Sequence, residues 1–280
     1  MKRILVLASL TLALAACNEQ PAGEPVVRAE LGEAVTGEDL AALEEVVPDI
    51  EQEGANPASV CSPVTFEDVS LTHCIADPAR HRIRTGLAPN SGELAGRIEG
   101  WAAGRNEGSI AFVMNGGMYD DALRPLGYYV EDRNRLKELD RGDGDGNFYL
   151  KPNGVFFGTD GAWQLIETDT FLRTIGTRPA FGTQSGPMLV IDGNLHPEIQ
   201  DNGPSKTIRN GVGVDADGKA HFVISNAPLS FGQLARYFRD EVGARNALYL
   251  DGNISSLWDP ATGRMDANRV GPLIVVEKRQ

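Results

Sequence analysis

The stretch His221-Phe-Val-Ile-Ser225-Asn-Ala-Pro-Leu-Ser230-Phe-Gly-Gln233-Leu-Ala-Arg-Tyr-Phe238-Arg-Asp-Glu-Val242-Gly-Ala-Arg-Asn-Ala247-Leu-Tyr-Leu250-Asp251 reads as strand, helix and strand. Its two outer runs, His221–Ser225 and Ala247–Leu250, are short, apolar and bounded by polar turn residues. Between them Ser230 and Gln233 form a capping-box pattern, in which a hydroxyl and an amide satisfy each other's orphan backbone donors. Phe231, Leu234, Ala235, Phe238 and Val242 then recur on one helical face. Strand, helix and strand in this order imply a crossover. A crossover places the turn at Asp251 at the carboxyl end of a strand, where open α/β sheets hold ligands.

Similar apolar runs occur on both sides of this unit. Val64–Thr72, Arg82–Leu87, Ser109–Met114, Phe148–Leu150, Val155–Phe157, Met188–Ile191, Val212–Val214 and Leu273–Val276 read as strands separated by Gly, Asn, Asp and Pro. A second helix is expected from about Gly92 to Ala103, with Ser91 as its N-cap. No internal repeat is visible. The expected fold is an α+β single domain over 61–280, a mixed β-sheet with a few packed helices.

The segment before this domain has a different character. Lys2 and Arg3, the apolar run Ile4 to Leu14 and the small residues before Cys17 form an export signal over 1–16. Its apolar run is shorter than the ~20 residues that a membrane-spanning helix needs. Leu14-Ala-Ala-Cys17 resembles a bacterial lipobox, in which Cys17 is lipidated and anchors the chain to a membrane. Asn18 after that cysteine favours the outer membrane, with the domain in the periplasm. Residues 17–59 are rich in Glu, Ala, Pro and Gly, a composition that suits a flexible tether. A short helix near Glu38 to Val47 is stopped by Pro48. Losing the signal removes two positive charges from a formal net charge of −13 and leaves −15.

That acidity argues against nucleic acid as a partner, because phosphate neutralisation needs a positive field. With 3 Cys and 4 His in 280 residues, a Cys/His cofactor or metal scaffold is not expected. Cys61 and Cys74 remain after Cys17, and in an oxidising compartment they most simply close a disulfide, two free buried thiols being the alternative. Three motifs mislead. Gly213 to Lys219 imitates a phosphate-cradling loop, yet Ala220 replaces its hydroxyl and Asp215-Ala-Asp-Gly218 has hairpin chemistry. Asp140 to Asn147 imitates a calcium loop, yet Arg141 falls at its first ligand position. Ser185 lacks the spacing of a nucleophile elbow and has no histidine with supporting context.

Four segments run from an apolar strand into small and polar residues: Phe112-Val-Met-Asn115-Gly-Gly-Met-Tyr119, Thr183-Gln-Ser-Gly-Pro187, Ile208-Arg-Asn-Gly-Val212 and Leu248-Tyr-Leu-Asp-Gly-Asn253. Glycines there let backbone approach a ligand closely. Together they suggest a cleft for sugar and phosphate. Asn115-Gly-Gly, Ser185-Gly-Pro-Met-Leu-Val190 with Asp192-Gly193, Arg209-Asn-Gly-Val-Gly213 with Asp217-Gly-Lys219, and Leu250-Asp-Gly252 with Ser255 resemble, in order, the motifs of the phosphodiester glycosidase family. The likeness spans roughly Cys61 to Val276. Met118 replaces an aromatic of the family pattern, Asn210 a threonine, and Asn253-Ile254 two glycines.

The resemblance implies a hydrolase that cleaves sugar-1-phosphodiesters in the bacterial envelope, with no cofactor. Its alternative is a non-catalytic glycan-binding lipoprotein. In such a bond the leaving phosphate is already a good anion, so charge placement matters more than a strong acid. Arg209 is expected to grip the phosphate bidentately, and Asp251 to act as nucleophile or as partner of the sugar cation. Asn115, Gln184 and Asn210 are expected to bind sugar hydroxyls or water. Backbone amides around Gly116 and Gly186 are expected to support the phosphate, and Ser185 and Gly252 are counted with the substrate-binding residues. A second carboxylate is open among Asp120, Asp121 and Glu131.

Overall fold

The computed structural model describes residues 58–88, 92–93, 96–251 and 254–279. The expected export signal, Cys17, the expected tether and short helix, Ser91, Gly252 and Asn253 lie outside the described residues. Strands β1 (Cys61–Phe66), β2 (Val69–Ala76), β3 (His81–Leu87), β4 (Ile110–Asn115), β5 (Tyr129–Glu131) and β6 (Asn134–Lys137) come first. They are followed by β7 (Gly154–Thr159), β8 (Ala162–Glu167), β9 (Phe181–Ser185), β10 (Met188–Ile191) and β11 (Asn194–Leu195). The chain ends with β12 (Asn210–Val214), β13 (Ala220–Ser225), β14 (Asn246–Tyr249), β15 (Leu257–Asp259), β16 (Arg264–Met265) and β17 (Pro272–Lys278). Three short helices join them: α1 (Ile98–Ala102), α2 (Thr168–Thr174) and α3 (Phe231–Arg236). The domain is α+β.

The strands form three sheets, ordered β1-β2-β13-β12-β14-β10-β11, β16-β15-β4-β17-β3 and β6-β5-β9-β7-β8. One apolar cluster unites all three, with Phe112 and Ile274 from the second, Phe156 and Phe181 from the third, and Phe222, Val212 and Leu248 from the first. Edge-to-face contacts at 5.2–5.8 Å link Phe112, Phe222 and Phe156 at its centre. Burial of such aromatics gives the three layers a common core, each ring contributing on the order of 2–3 kcal/mol.

The crossover expected from His221 to Asp251 is present. β13 leads through α3 to β14, with β12 between them and antiparallel to both, so β13 and β14 run in the same direction. The capping box forms, with Ser230 Oγ accepting from Gln233 N and Gln233 Oε1 accepting from Ser230 N. α3 continues as one π-helical turn, Tyr237–Glu241, and packs Leu234, Ala235 and Phe238 onto Val223, Leu189 and Tyr249. α1 is shorter than the Gly92–Ala103 helix expected, because Gly92 and Gly96 take φ of +82 and +65 and Arg97 is extended. The run Val64–Thr72, read as one strand, is the β1–β2 hairpin, turned by Glu67 and Asp68 at φ 46 and 63. Phe148 lies in a single 3₁₀ turn and not a strand; its ring is buried against Tyr149.

Cys61 faces Cys74 across the β1–β2 ladder and the two are joined as a disulfide. The Asp215–Gly218 segment is the β12–β13 turn, closed by Asp215 N to Lys219 O and Gly218 N to Asp215 O. Beneath the end of α3 lies a chain of polar contacts. Tyr237 Oη is 2.9 Å from His73 Nδ1, His73 Nε2 is 2.9 Å from His221 Nδ1, and His221 Nε2 is 3.0 Å from Asp215 Oδ2. With both imidazoles neutral, one arrangement supplies a proton to every contact: Tyr237 donates to His73, His73 to His221, and His221 to Asp215.

Candidate active site

Asp251 follows β14 and lines a cavity of about 540 Å³. The opposite walls come from the loop after β4, from the 140–147 loop and from the segment before β17. These contribute Met118, Tyr119, Asp120 and Asp121, then Gly146 and Asn147, then Arg269, while Tyr249 and Ile254 flank Asp251. The cavity therefore gathers three carboxylates, one guanidinium and two phenols beside apolar Met118, Leu126 and Ile254.

The Asp251 loop is held from behind by two buried asparagines. Asn210, at the start of β12, accepts from Asp251 N at 2.9 Å through Oδ1 and donates from Nδ2 to Asn115 Oδ1 at 2.9 Å. Asn115, at the end of β4, also accepts from Ser256 N at 2.8 Å. Ser255 Oγ donates to Asp251 O at 2.7 Å, and Ser185 Oγ donates to Leu250 O at 2.7 Å. Each of these side chains removes a buried backbone group from the unsatisfied state, worth on the order of 1–3 kcal/mol. Three sheets thus converge on one loop.

Gln184 holds the facing loop. Its Oε1 accepts from Tyr128 N and Asp140 N at 2.9 Å each, and its Nε2 donates to Asp140 O at 2.7 Å and Thr168 Oγ1 at 3.1 Å. This fixes the root of the loop that brings Gly146 and Asn147 to the cavity. Two glycines permit the packing. A Cβ on Gly117 would sit 2.2 Å from Gln184 O, and one on Gly186 would sit 2.6 Å from Phe148 O.

Of the residues expected to touch a ligand, Asp251 alone among the described ones lines the cavity. Asn115, Asn210, Gln184, Ser185 and Gly186 are packed behind its walls, and the four side chains among them hydrogen-bond to the loops that form it or to one another. Gly116 donates its N–H to Pro272 O at 2.7 Å, so that amide is already committed. Arg209 departs most from expectation. It is 1% exposed and is not on the cavity wall. Its Nε donates to Leu229 O, Nη1 to Tyr249 Oη, and Nη2 to Ser205 O and Oγ, all at 3.1 Å. The bidentate grip on phosphate expected of Arg209 would require giving up some of these bonds.

The three carboxylates left open separate clearly. Glu131 is on β5, receives the Tyr129 hydroxyl at 3.2 Å and is pushed up by burial, away from the cavity. Asp120 accepts from Ala122 N and Arg124 N and pairs with Arg124 at 2.7 Å. The Arg124 hydrogen bonds hold it below the usual carboxylate range. Asp121 lies beside it on the wall with an exposed side chain. Arg269, which the sequence did not mark, is exposed on the wall, and no ion pair of its guanidinium occurs among the described residues. Tyr119 donates to Arg269 O at 2.9 Å. Burial, reinforced by Asp251, raises the Tyr119 phenol above its ordinary value. Burial likewise raises Tyr249, with Asp251 adding to it and Arg209 opposing it. Both hydroxyls are protonated donors within electrostatic reach of Asp251.

Ser185 has no histidine partner; its hydroxyl is spent on Leu250 O. His196 is buried, accepts from Glu198 N and reaches Lys151 O at 3.1 Å, and Trp258 packs in the core. Among the described residues no three His, Cys, Asp or Glu side chains converge as metal ligands.

Residues 108–276 match the model of the phosphodiester glycosidase family, and residues 1–18, which include Cys17, match the prokaryotic membrane lipoprotein lipid attachment site. A protein of Escherichia coli (strain K12) described as uncharacterized protein YigE is 34% identical over 183 residues, covering 65% of this chain and 71% of that protein. The catalytic domain of zebrafish N-acetylglucosamine-1-phosphodiester alpha-N-acetylglucosaminidase superposes with a TM-score of 0.52 at 16% identity, over 78% of this chain and 82% of that one. At that identity the likeness speaks for the fold.

Proposed function

The chain belongs to the phosphodiester glycosidase family, and from that premise we propose that it is a hydrolase of sugar-1-phosphodiesters, anchored by lipid at Cys17. The observation that carries the reading is the Asp251 carboxylate on the wall of a cavity that also holds Arg269 and Asp121. Breaking the bond between the anomeric carbon and the phosphate oxygen leaves positive charge on the sugar and negative charge on the phosphate. Asp251 is assigned to the sugar side, as nucleophile or as partner of the oxocarbenium. Arg269 is assigned to the phosphate, in place of Arg209, because a guanidinium fork matches phosphate oxygens and this one is on the wall. Asp121 is the candidate base for water, since Asp120 is tied to Arg124. Asn18 after Cys17 supports attachment at the outer membrane facing the periplasm.

The zebrafish enzyme's name supplies the first substrate to try. The soluble domain is incubated with the methyl phosphodiester of N-acetylglucosamine-1-phosphate and a panel of other sugars, and released sugar is measured. Release by the parent and loss of at least a hundredfold in Asp251→Asn is expected. Ile254, on the wall where the family motif has glycine, favours a second reading, a glycan-binding lipoprotein. Binding of the panel with no release from any member would select it.

A further inference from the structure

Arg209 is a buried cation whose hydrogen bonds all go to neutral oxygens, those of Leu229, Ser205 and Tyr249. Its guanidinium carbon also stands 3.7 Å from the Phe231 ring centroid and 5.4 Å from that of Tyr249. No ion pair to a carboxylate offsets its charge among the described residues, and burial lowers its proton affinity. Holding an ion in such a place is expensive, so its retention points to a gain where its field acts.

The field acts on Tyr249. A guanidinium has donors only, so at the 3.1 Å contact the phenol oxygen accepts. Tyr249 keeps its proton, because burial raises its phenol. That proton cannot point toward Arg209. Tyr249 lines the cavity that holds Asp251, and no hydrogen bond among the described residues takes up that proton. A charged donor behind the oxygen strengthens the O–H as a hydrogen-bond donor in front of it.

We infer that Tyr249 donates its O–H to an anionic oxygen of the bound sugar phosphate, and that Arg209 is the positioning residue that aims and polarises that donor. The inference rests on the sugar-phosphodiester reading of the cavity. The phenol keeps its proton throughout. As the anomeric carbon–oxygen bond breaks, its electron pair stays on the phosphate, and the hydrogen bond strengthens with that charge. Preorganised donors of this kind are worth ~10²–10³ in rate.

The test is a double-mutant cycle with Tyr249→Phe, Arg209→Lys and the pair, read as kcat and KM on the methyl phosphodiester of N-acetylglucosamine-1-phosphate. Tyr249→Phe preserves the edge contact with Phe231 at 4.7 Å, and its melting temperature checks the fold. The expected result is about a hundredfold loss of kcat in Tyr249→Phe, a loss in Arg209→Lys, and a double variant no slower than Tyr249→Phe. Unchanged kcat in Tyr249→Phe, or multiplying losses in the double, overturns the inference. Binding of N-acetylglucosamine-1-phosphate by calorimetry carries the same cycle on Kd. If the parent binds it without cleaving any diester, the hydrolase reading fails while the cycle on Kd still decides the inference. If it neither binds nor cleaves, both fall.

Discussion

Replacing His73 with glutamine should flatten the acid limb of the stability curve. In the parent, burial, assisted by the neighbouring His221, lowers His73 from 6.5 to about 4. The unfolded chain takes up its proton as pH falls below about 6.5, whereas the folded chain does so only near 4. The stability from this site is therefore intact above pH 6.5, declines through the window, and is gone below pH 4. A difference of about two and a half pH units corresponds to on the order of 3 kcal/mol. The titratable groups that meet the ring are His221 from β13 and Tyr237 from the π turn after α3, and Asp215, just after β12, contacts His221 in turn. At Asp215, burial pushes up, but the His221 hydrogen bond and backbone amides prevail and hold it low, so its own loss comes at more acid pH. His81 and His196, also lowered by burial, slope the same way in parent and variant alike. Urea unfolding at half-unit steps from pH 7.5 to 4 measures both proteins. The parent should lose about 3 kcal/mol more than His73→Gln across that range, and parallel curves would refute the burial of a neutral His73.

Three further outcomes follow from the geometry. Reducing Cys61–Cys74, which lie 13 residues apart, should lower stability by about 2–3 kcal/mol, read as a shift in thermal melting with and without reductant, while sugar release persists. Asn210→Leu should reduce sugar release at least tenfold without touching the cavity wall, because Asp251 N and Asn115 Oδ1 lose their shared partner; activity equal to the parent would show that the loop is held by other means. Arg269→Ala should raise KM for phosphodiesters at least tenfold and leave the melting temperature within a few degrees, since its side chain is exposed.

The parts of the fold written in continuous apolar runs were readable directly. Ile110–Asn115, Met188–Ile191 and Ala220–Ser225 are buried along almost every residue, so hydrophobicity alone marks them. β6 escaped notice because all four of its residues are exposed and Leu136 is the only apolar one among them. The hairpin at Glu67-Asp68 gave no glycine signal for its left-handed turn. Position along the chain placed Asp251 at a strand end, but could not say which strand-end side chains face a hollow and which face each other. Asn115 and Asn210 meet across 95 residues of sequence, a pairing set by sheet packing. The same limit left unread the burial of Arg209 behind Tyr249, which depends on α3 and the 200–207 loop, and the place of Arg269 on the cavity wall, which lies in an unremarkable polar loop.

The assigned chemistry depends on which bond is cut. Hydrolysis of the methyl phosphodiester of N-acetylglucosamine-1-phosphate in ¹⁸O-water, followed by mass spectrometry of both products, decides it. Attack at the anomeric carbon predicts the label in the sugar and none in methyl phosphate. Label in the phosphate would mean attack at phosphorus, and would contradict the role given to Asp251.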